Sequence, residues 1–200
     1  MLSSGAVSSR VARYGRVAAL LWLCALGMVR AAERDDILVK PLRLAAVPAV
    51  PVISMQGAKG SFATEAAVPG PVIVNFVFTT CSTICSTQTA TLAHLQRKLH
   101  ARGIKPHLLS VTIDPDNDTP QQLRKFAQQF DVGPDWQFYT GRFDDLLEIQ
   151  RHFDVYRGSK AAHPPVVLMR REPGAPWVRV EGLADAARLE QVFLALPAKG

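Results

Sequence analysis

Cysteine is scarce in this sequence, with only three among 200 residues. Cys24 lies in an N-terminal apolar segment, and Cys81 and Cys85 are four residues apart. So few cysteines exclude a small scaffold stabilised by several disulfides. A disulfide between Cys81 and Cys85 would close a very short loop and would constrain the unfolded chain only slightly. Stability is therefore a weak reason for this pair, and a chemical role is favoured.

Long apolar runs are also missing. The segment Val17–Val29 has thirteen uncharged, mostly apolar residues, whereas a bilayer-spanning helix needs about 20. Three arginines and no acidic residue precede it, and small residues follow. This is the pattern of a secretory signal peptide, cleaved near Ala31 or Ala32, and an uncleaved membrane anchor is the alternative. We therefore predict a signal peptide or anchor over residues 1–32 and one domain over residues 33–200.

Positive charge is in excess only at the N-terminus. The formal net charge is +6, and the four arginines before Glu33 have no acidic residue among them, so the chain without them carries +2. No basic stripe interleaved with aromatic residues follows. We therefore expect no nucleic-acid partner, and membrane contact only through an uncleaved N-terminal segment.

Apolar strands alternate with amphipathic helices along the rest of the chain, without internal repeats. The Gly-rich stretch "QGAKGSFAT" indicates a hairpin turn near the N-terminus, and Thr119, Pro120 and Gln122 have the pattern of a capped helix start. This alternation predicts an α/β domain with a central sheet covered on both faces. The predicted strands are "ILVKPLRL", "PVISM", "GPVIVNFVF", "HLLSVTID", "PVVLMRR" and "WVRVEG", and the predicted helices follow Cys85, Pro120, Arg142 and Ala184.

The strand "GPVIVNFVF" leads directly into Cys81 and Cys85. A loop from strand to helix lies at the carboxyl edge of the sheet, where α/β proteins usually place their sites. If Cys85 lies in the first helical turn, we expect the helix dipole to lower its pKa. A redox disulfide, a metal site and two small buried side chains are the possible uses of the pair. The spacing slightly favours a soft metal ion, and the serines and threonines around the pair disfavour simple packing.

Three segments of the chain together resemble the Sco/SenC family of thioredoxin-fold copper proteins. They are "VIVNFVFTTCSTIC", "SVTIDPDNDTPQQLRKFA" and "AAHPPVVLM", which occur in the family's order. The resemblance implies a thioredoxin-like α/β fold, with a central mixed sheet flanked by helices and an N-terminal β-hairpin extension. It also implies a periplasmic protein, either free or tethered to the inner membrane by its N-terminal segment.

Copper is the cofactor that this resemblance implies, as Cu(I) or Cu(II), bound by Cys81, Cys85 and His163. The implied function is that of a metallochaperone rather than an enzyme. It would deliver copper to the Cu(A) site of cytochrome c oxidase, with subunit II or another copper donor or acceptor as partner. Asp114 closes a strand at the same sheet edge and is expected to influence the charge of the site. Asp118 is a candidate for supporting the site or ordering its loop, but for this residue we favour a turn or helix-capping role.

The chain departs from the family pattern around all three expected ligands. Ser82 and Ser86 stand where the family commonly has proline, and Ala162 and Pro164 flank the histidine where an acid and a serine are common. Pro164 also matches the position at which thioredoxin-fold oxidoreductases carry a cis-proline. The alternative functions are therefore a thiol–disulfide oxidoreductase with Cys81 and Cys85 as its redox pair, which reduces a copper acceptor, or a copper or redox sensor.

Overall fold

The computed structural model describes residues 37–81 and 83–197, which form an eight-stranded mixed sheet with helices on both faces. The predicted signal peptide or anchor over residues 1–32, with Cys24, and the position of Ser82 lie outside the described residues. The strands are Leu38–Leu42 (β1), Pro51–Ser54 (β2), Lys59–Ser61 (β3), Val72–Val77 (β4), His107–Thr112 (β5), Trp136–Thr140 (β6), Val166–Arg170 (β7) and Trp177–Glu181 (β8). The helices are Phe62–Ala66 (α1), Ile84–Ala101 (α2), Pro120–Ala127 (α3), Phe143–His152 (α4) and Ala186–Leu194 (α5).

The sheet has the strand order β1-β8-β7-β4-β5-β6-β2-β3. Its centre is parallel, since β4 pairs with β5 and β5 with β6 in the same direction. Helices α2 and α3 make the two crossover connections that parallel neighbours require. All other pairs are antiparallel, including β4 with β7 and β2 with β3. The carboxyl ends of β4, β5 and β6 therefore share one edge of the sheet.

Two apolar cores lie on opposite faces of the sheet. Along β4, Ile73 and Val77 belong to one core, and Val72, Val74 and Phe76 belong to the other. Helices α2, α3 and α5 contribute to the first core, and α1 and α4 contribute to the second. Because a strand turns successive side chains to opposite faces, a strand between two cores is mostly apolar, as β4 is; its one polar residue, Asn75, accepts a hydrogen bond from the Ser110 hydroxyl at 2.6 Å.

The predicted fold class is confirmed, including the N-terminal hairpin, which is formed by β2 and β3. Helix α2 ends before Gly103, which has a φ of +75° and so adopts a backbone that glycine accepts at no cost. Thr119 caps α3 by accepting a hydrogen bond from the Gln122 N–H at 3.3 Å. Strand β6 and the short helix α1 were not predicted. No helix within residues 37–81 and 83–197 is long and apolar enough to cross a membrane.

Candidate metal and thiol site

Strand β4 and helix α2 position the two cysteines. Every residue of β4 is buried, and the chain turns at its end, where the Cys81 N–H donates to the Phe78 carbonyl at 3.1 Å. Helix α2 begins at Ile84, so Cys85 lies in its first turn, the condition on which a lowered pKa was expected for it. The strand thus delivers both thiols to the carboxyl edge of the parallel strands.

The two thiols are in direct contact. The Cys85 backbone N–H donates to the Cys81 sulfur at 3.4 Å, and both cysteines are free. Cys85 is only 2% exposed, whereas Cys81 is partly accessible to solvent. The Ser86 hydroxyl donates to the Cys81 carbonyl at 3.3 Å, a bond that a proline at this position could not make. Ser86, which departs from the family pattern, therefore links the cysteine loop to the first turn of α2 by a hydrogen bond.

The two thiols have opposite acidities. Burial raises the pKa of Cys85 to about 12, with further increases from a hydrogen bond with Cys81 and from the charge of Asp118. Burial acts in the same direction on Cys81, but hydrogen bonds from Cys85 and Thr83 outweigh it and lower the Cys81 pKa. The expectation that the helix start lowers the pKa of Cys85 is wrong, because burial dominates and the Cys85 N–H points at the other sulfur. Cys81 is the more acidic thiol of the pair.

Asp118 anchors the loop that leads to Cys81. Its carboxylate is fully buried and accepts bonds from the Thr79 backbone N–H at 3.1 and 3.2 Å. The Thr79 and Thr112 hydroxyls also donate to it. Burial raises the Asp118 pKa, and the bonds from the two threonines oppose that rise. A turn or capping role was favoured for Asp118, and the buried connection to Thr79, 39 residues away, corrects that expectation.

Asp114 lies at the predicted sheet edge but is paired with a cation. Its carboxylate is 2.5 Å from the Lys160 ammonium and accepts from the Asn117 amide at 3.0 and 3.1 Å. Lys160 also lies over the Phe78 ring, with its nitrogen 5.8 Å from the ring centre. Phe78 precedes Cys81 by three residues, so Lys160 ties the segment that precedes β7 to the cysteine loop.

His163 follows a 3-10 turn, Lys160–Ala162, in that same segment. Its ring packs edge-on against Phe76 of β4, with centroids 6.2 Å apart, and its Nε2 is buried without a hydrogen-bond partner. Burial lowers the pKa of His163 to about 4, although a hydrogen bond with the Phe76 backbone opposes this. The imidazole is therefore neutral at physiological pH and holds a free lone pair, the form in which histidine binds metals.

The structure brings Cys81 and Cys85 together but not His163 with them. In the part of the chain that the structure describes, no three His, Cys, Asp or Glu side chains are close enough to hold a metal ion. His163 instead lines a cavity of about 180 Å³ that it shares with Asp114, Lys160 and Arg157. The described residues contain no cis peptide bond, so His163–Pro164 is trans.

The other histidines lie away from this edge. His94 is exposed on α2, and His100, on the same helix, lies 3.8 Å from the Asp135 carboxylate. His107 opens β5, at the opposite end of the parallel strands from the cysteines, and His152 is the last residue of α4. Lys160 was the residue that sequence reasoning missed, and for Asp118 it favoured a turn or capping role over the loop-ordering role that the structure shows. The one available signal was the placement of Asp118 inside the family-like segment "DPDNDTP".

The chain matches the model of one protein family, described as SCO1/SenC, over residues 54–169. Among curated relatives, the SCO1 protein homolog of Bacillus subtilis is 42% identical over 77 residues, which are 38% of this chain and 40% of the relative. The mitochondrial SCO2 homolog of Bos taurus is 31% identical over 87 residues, covering 42% of this chain and 32% of the relative. The matched segment thus spans at most about 40% of the length of these relatives.

Solved structures of Sco proteins have the same fold. Arabidopsis thaliana ScoI with copper bound superposes with a TM-score of 0.65 at 19% identity, covering 76% of this chain and 97% of that one. BsSco, described as a member of the Sco family of cytochrome c oxidase assembly proteins, superposes with a TM-score of 0.62 at 23% identity, covering 78% of this chain and 95% of that one. These likenesses establish the thioredoxin-like fold. Since the family model covers more than half of the sequence, this chain belongs to the SCO1/SenC family.

Proposed function

We propose that this protein is a copper metallochaperone that delivers copper to the Cu(A) site of cytochrome c oxidase. Copper is bound in solved structures of several Sco proteins, and a Sco protein is described as an oxidase assembly protein. The observation on this chain that carries the proposal is a pair of contacting cysteines together with a neutral imidazole whose buried Nε2 has no hydrogen-bond partner. Residues 1–32 would direct export, so we place the protein in the periplasm, free or tethered.

Cys81, Cys85 and His163 are the donors in this proposal. Two thiolates and an imidazole form a soft ligand set that suits Cu(I). The free Nε2 of His163 fits a ligand role because a buried nitrogen without a hydrogen bond is costly in the absence of another partner. Because His163 is not clustered with the thiols, metal binding must draw its segment closer to the cysteine loop, to which the Lys160 contact with Phe78 already links it. A site that closes in this way can also release copper to the thiols of an acceptor such as oxidase subunit II.

A Cu(I) titration of the purified, reduced protein against a colorimetric chelator tests this proposal. Cys81→Ser and Cys85→Ser are expected to abolish tight binding, and His163→Ala to weaken it at least tenfold. His94→Ala is the matched control, since His94 is exposed on α2, and it should leave affinity unchanged. If His163→Ala retains the affinity and stoichiometry of the wild type, the three-ligand proposal fails.

The opposite acidities of the thiols favour a second candidate, a thiol–disulfide oxidoreductase. The Cys81 thiolate would attack a substrate disulfide, form a mixed disulfide and release one substrate thiolate. Cys85 would then lose its proton and attack the Cys81 sulfur, releasing the second thiolate. The substrate gains two electrons and the Cys81–Cys85 pair loses them. A copper acceptor with oxidised cysteines is the proposed substrate.

Reduction of a model disulfide separates the two functions. The chemistry of this reaction uses no imidazole, so His163→Ala should reduce the disulfide at the wild-type rate while its copper affinity falls. Loss of both properties in His163→Ala would contradict this division of roles. Cys81→Ser should lose both properties, because each function needs its thiolate.

A further inference from the structure

Arg170, at the end of β7, carries a buried positive charge that no acidic side chain among the described residues balances. The residue is 7% exposed and makes no ion pair within residues 37–81 and 83–197. One guanidinium nitrogen donates to the Ala66 carbonyl, but Nε is buried without a partner. Burial is the one cause that shifts the Arg170 pKa, and it acts downward, so no nearby carboxylate supports the charge. Buried guanidinium groups are ordinarily paired with an anion.

An open cavity of about 600 Å³ adjoins this guanidinium. It exists because the chain leaves the sheet after Leu42 of β1 and crosses without strand pairing to β2 at the far side. The lining is mostly apolar, and Arg170 and Arg43 are the charged residues in it; Leu44, Val47, Pro176 and Trp177 provide apolar surface. The Trp177 ring lies under the Arg170 guanidinium, with the ring centre 4.9 Å from the central carbon of that group. Volume and lining are those of a small-molecule site.

This cavity is separate from the thiol site. In the antiparallel pairing of β4 with β7, Arg170 lies opposite Val72, the first residue of β4. The cysteines follow the last residue of β4, Val77, which is ~17 Å along the strand at about 3.3 Å per residue. A ligand here therefore has no contact with the proposed copper donors.

We propose that the Arg170 cavity binds a small organic carboxylate, with its carboxylate on the Arg170 guanidinium and its apolar body against Trp177 and Leu44. A guanidinium donates strong, charge-assisted hydrogen bonds to a carboxylate, and the anion would balance the unpaired Arg170 charge. The apolar walls favour an anion with an apolar body over inorganic phosphate. Arg43, exposed at the entrance, adds attraction for an anion.

Benzoate is the probe for this proposal, with neutral benzamide as its matched control and inorganic phosphate as the competing anion. In NMR spectra of the full-length protein labelled with ¹⁵N, benzoate should shift the Trp177 indole signal saturably, and benzamide should not. Trp177→Phe assigns the signal. Arg170→Met, similar in length but uncharged, should weaken benzoate binding at least tenfold. Arg171→Met removes the neighbouring exposed charge and should bind as the wild type does.

Three results would overturn the proposal. Absence of a benzoate-dependent shift in the wild type would mean that the cavity takes no carboxylate, whatever the variants do. Binding of phosphate but not benzoate would assign the site to another kind of anion. Equal binding by Arg170→Met would remove Arg170 from it. If that variant fails to fold, Arg170→Lys keeps the charge without the forked donors and should bind benzoate several-fold more weakly than the wild type.

Discussion

The unequal acidity of the two thiols leads to a prediction about alkylation. Burial, hydrogen bonding with Cys81 and the Asp118 charge raise the pKa of Cys85 from the ordinary value of 9.0 to about 12. At neutral pH this rise lowers the thiolate fraction of Cys85 by about a thousandfold. Cys81 has a lowered pKa and is partly exposed, so its thiolate fraction and its access to reagents both exceed those of Cys85. The thiolate is the nucleophile, but its intrinsic reactivity rises with its pKa and offsets about half of this difference on a logarithmic scale. Iodoacetamide should therefore modify Cys81 about 30-fold faster or more.

Mass spectrometry of the reduced protein after timed iodoacetamide pulses between pH 6 and 9 measures both rates. In Cys81→Ser, Cys85 should remain slow, since burial is the largest cause of its raised pKa. The same pulses in denaturant provide the control, because both thiols are then exposed and should react at similar rates. This comparison shows that any difference in the folded protein comes from its tertiary structure.

Comparable rates for the two cysteines in the folded protein would refute the reasoning. Faster modification of Cys85 would show that the helix start, rather than burial, controls its acidity. Either outcome would also remove the observation that favours the oxidoreductase candidate, while leaving the copper proposal to be judged by its own titration.

Three further predictions concern stability, each measured by urea denaturation. The pKa of His163 falls from 6.5 to about 4 on folding. The contribution of His163 to the free energy of unfolding is therefore fully present above pH 6.5 and is lost as pH falls through about 4. The loss is at most about 3 kcal/mol, and His163→Ala should abolish this dependence. Folding raises the pKa of Asp118, so the effect of this residue on stability changes with pH in the opposite direction. The stability that Asp118 adds is present below pH 3.8 and is lost as pH rises through its pKa in the folded protein, so Asp118→Asn should lack that decline. Asp118→Ala should lower the free energy of unfolding by about 2 kcal/mol, because it leaves the Thr79 N–H unpaired. Thr119→Ala should cost about 1 kcal/mol by removing the bond from the Gln122 N–H. These assignments would be contradicted if stability did not change with pH in any of the three proteins, the wild type, His163→Ala and Asp118→Asn. An unchanged urea midpoint for Thr119→Ala would contradict the capping role.

Local patterns were sufficient to predict much of the fold. The apolar, β-branched run of β4 has one stable placement, inside a sheet covered on both faces, and the cysteines must then emerge at its carboxyl end. Gly103 and Thr119 mark helix ends through backbone and side-chain chemistry that operates within a few residues. Strand β6 was not predicted because it is only five residues long and depends on its pairing with β5 and β2.

Such local patterns did not predict which polar side chains are buried. Asp118 lies in a stretch of turn residues, and only the approach of Thr79 and Thr112 makes it the buried anchor of the cysteine loop. Arg170 ends an apolar strand, where a charged residue ordinarily marks the return to solvent. It is buried because Trp177 and the chain segment after Leu42 cover it.

The sequence by itself determined that two thiols lie between a buried strand and a helix, and its segment order identified the family. It also singled out His163. Only the tertiary structure decided which thiol is acidic, since the pKa of each depends on burial and on hydrogen bonds that form as the loop closes. It likewise decided that His163 has a free buried nitrogen near the cysteine loop, and that Arg170 lies uncompensated beside a cavity. Acidity, burial and unmet hydrogen bonds depend on neighbours far apart in the chain, and folding alone brings those neighbours together.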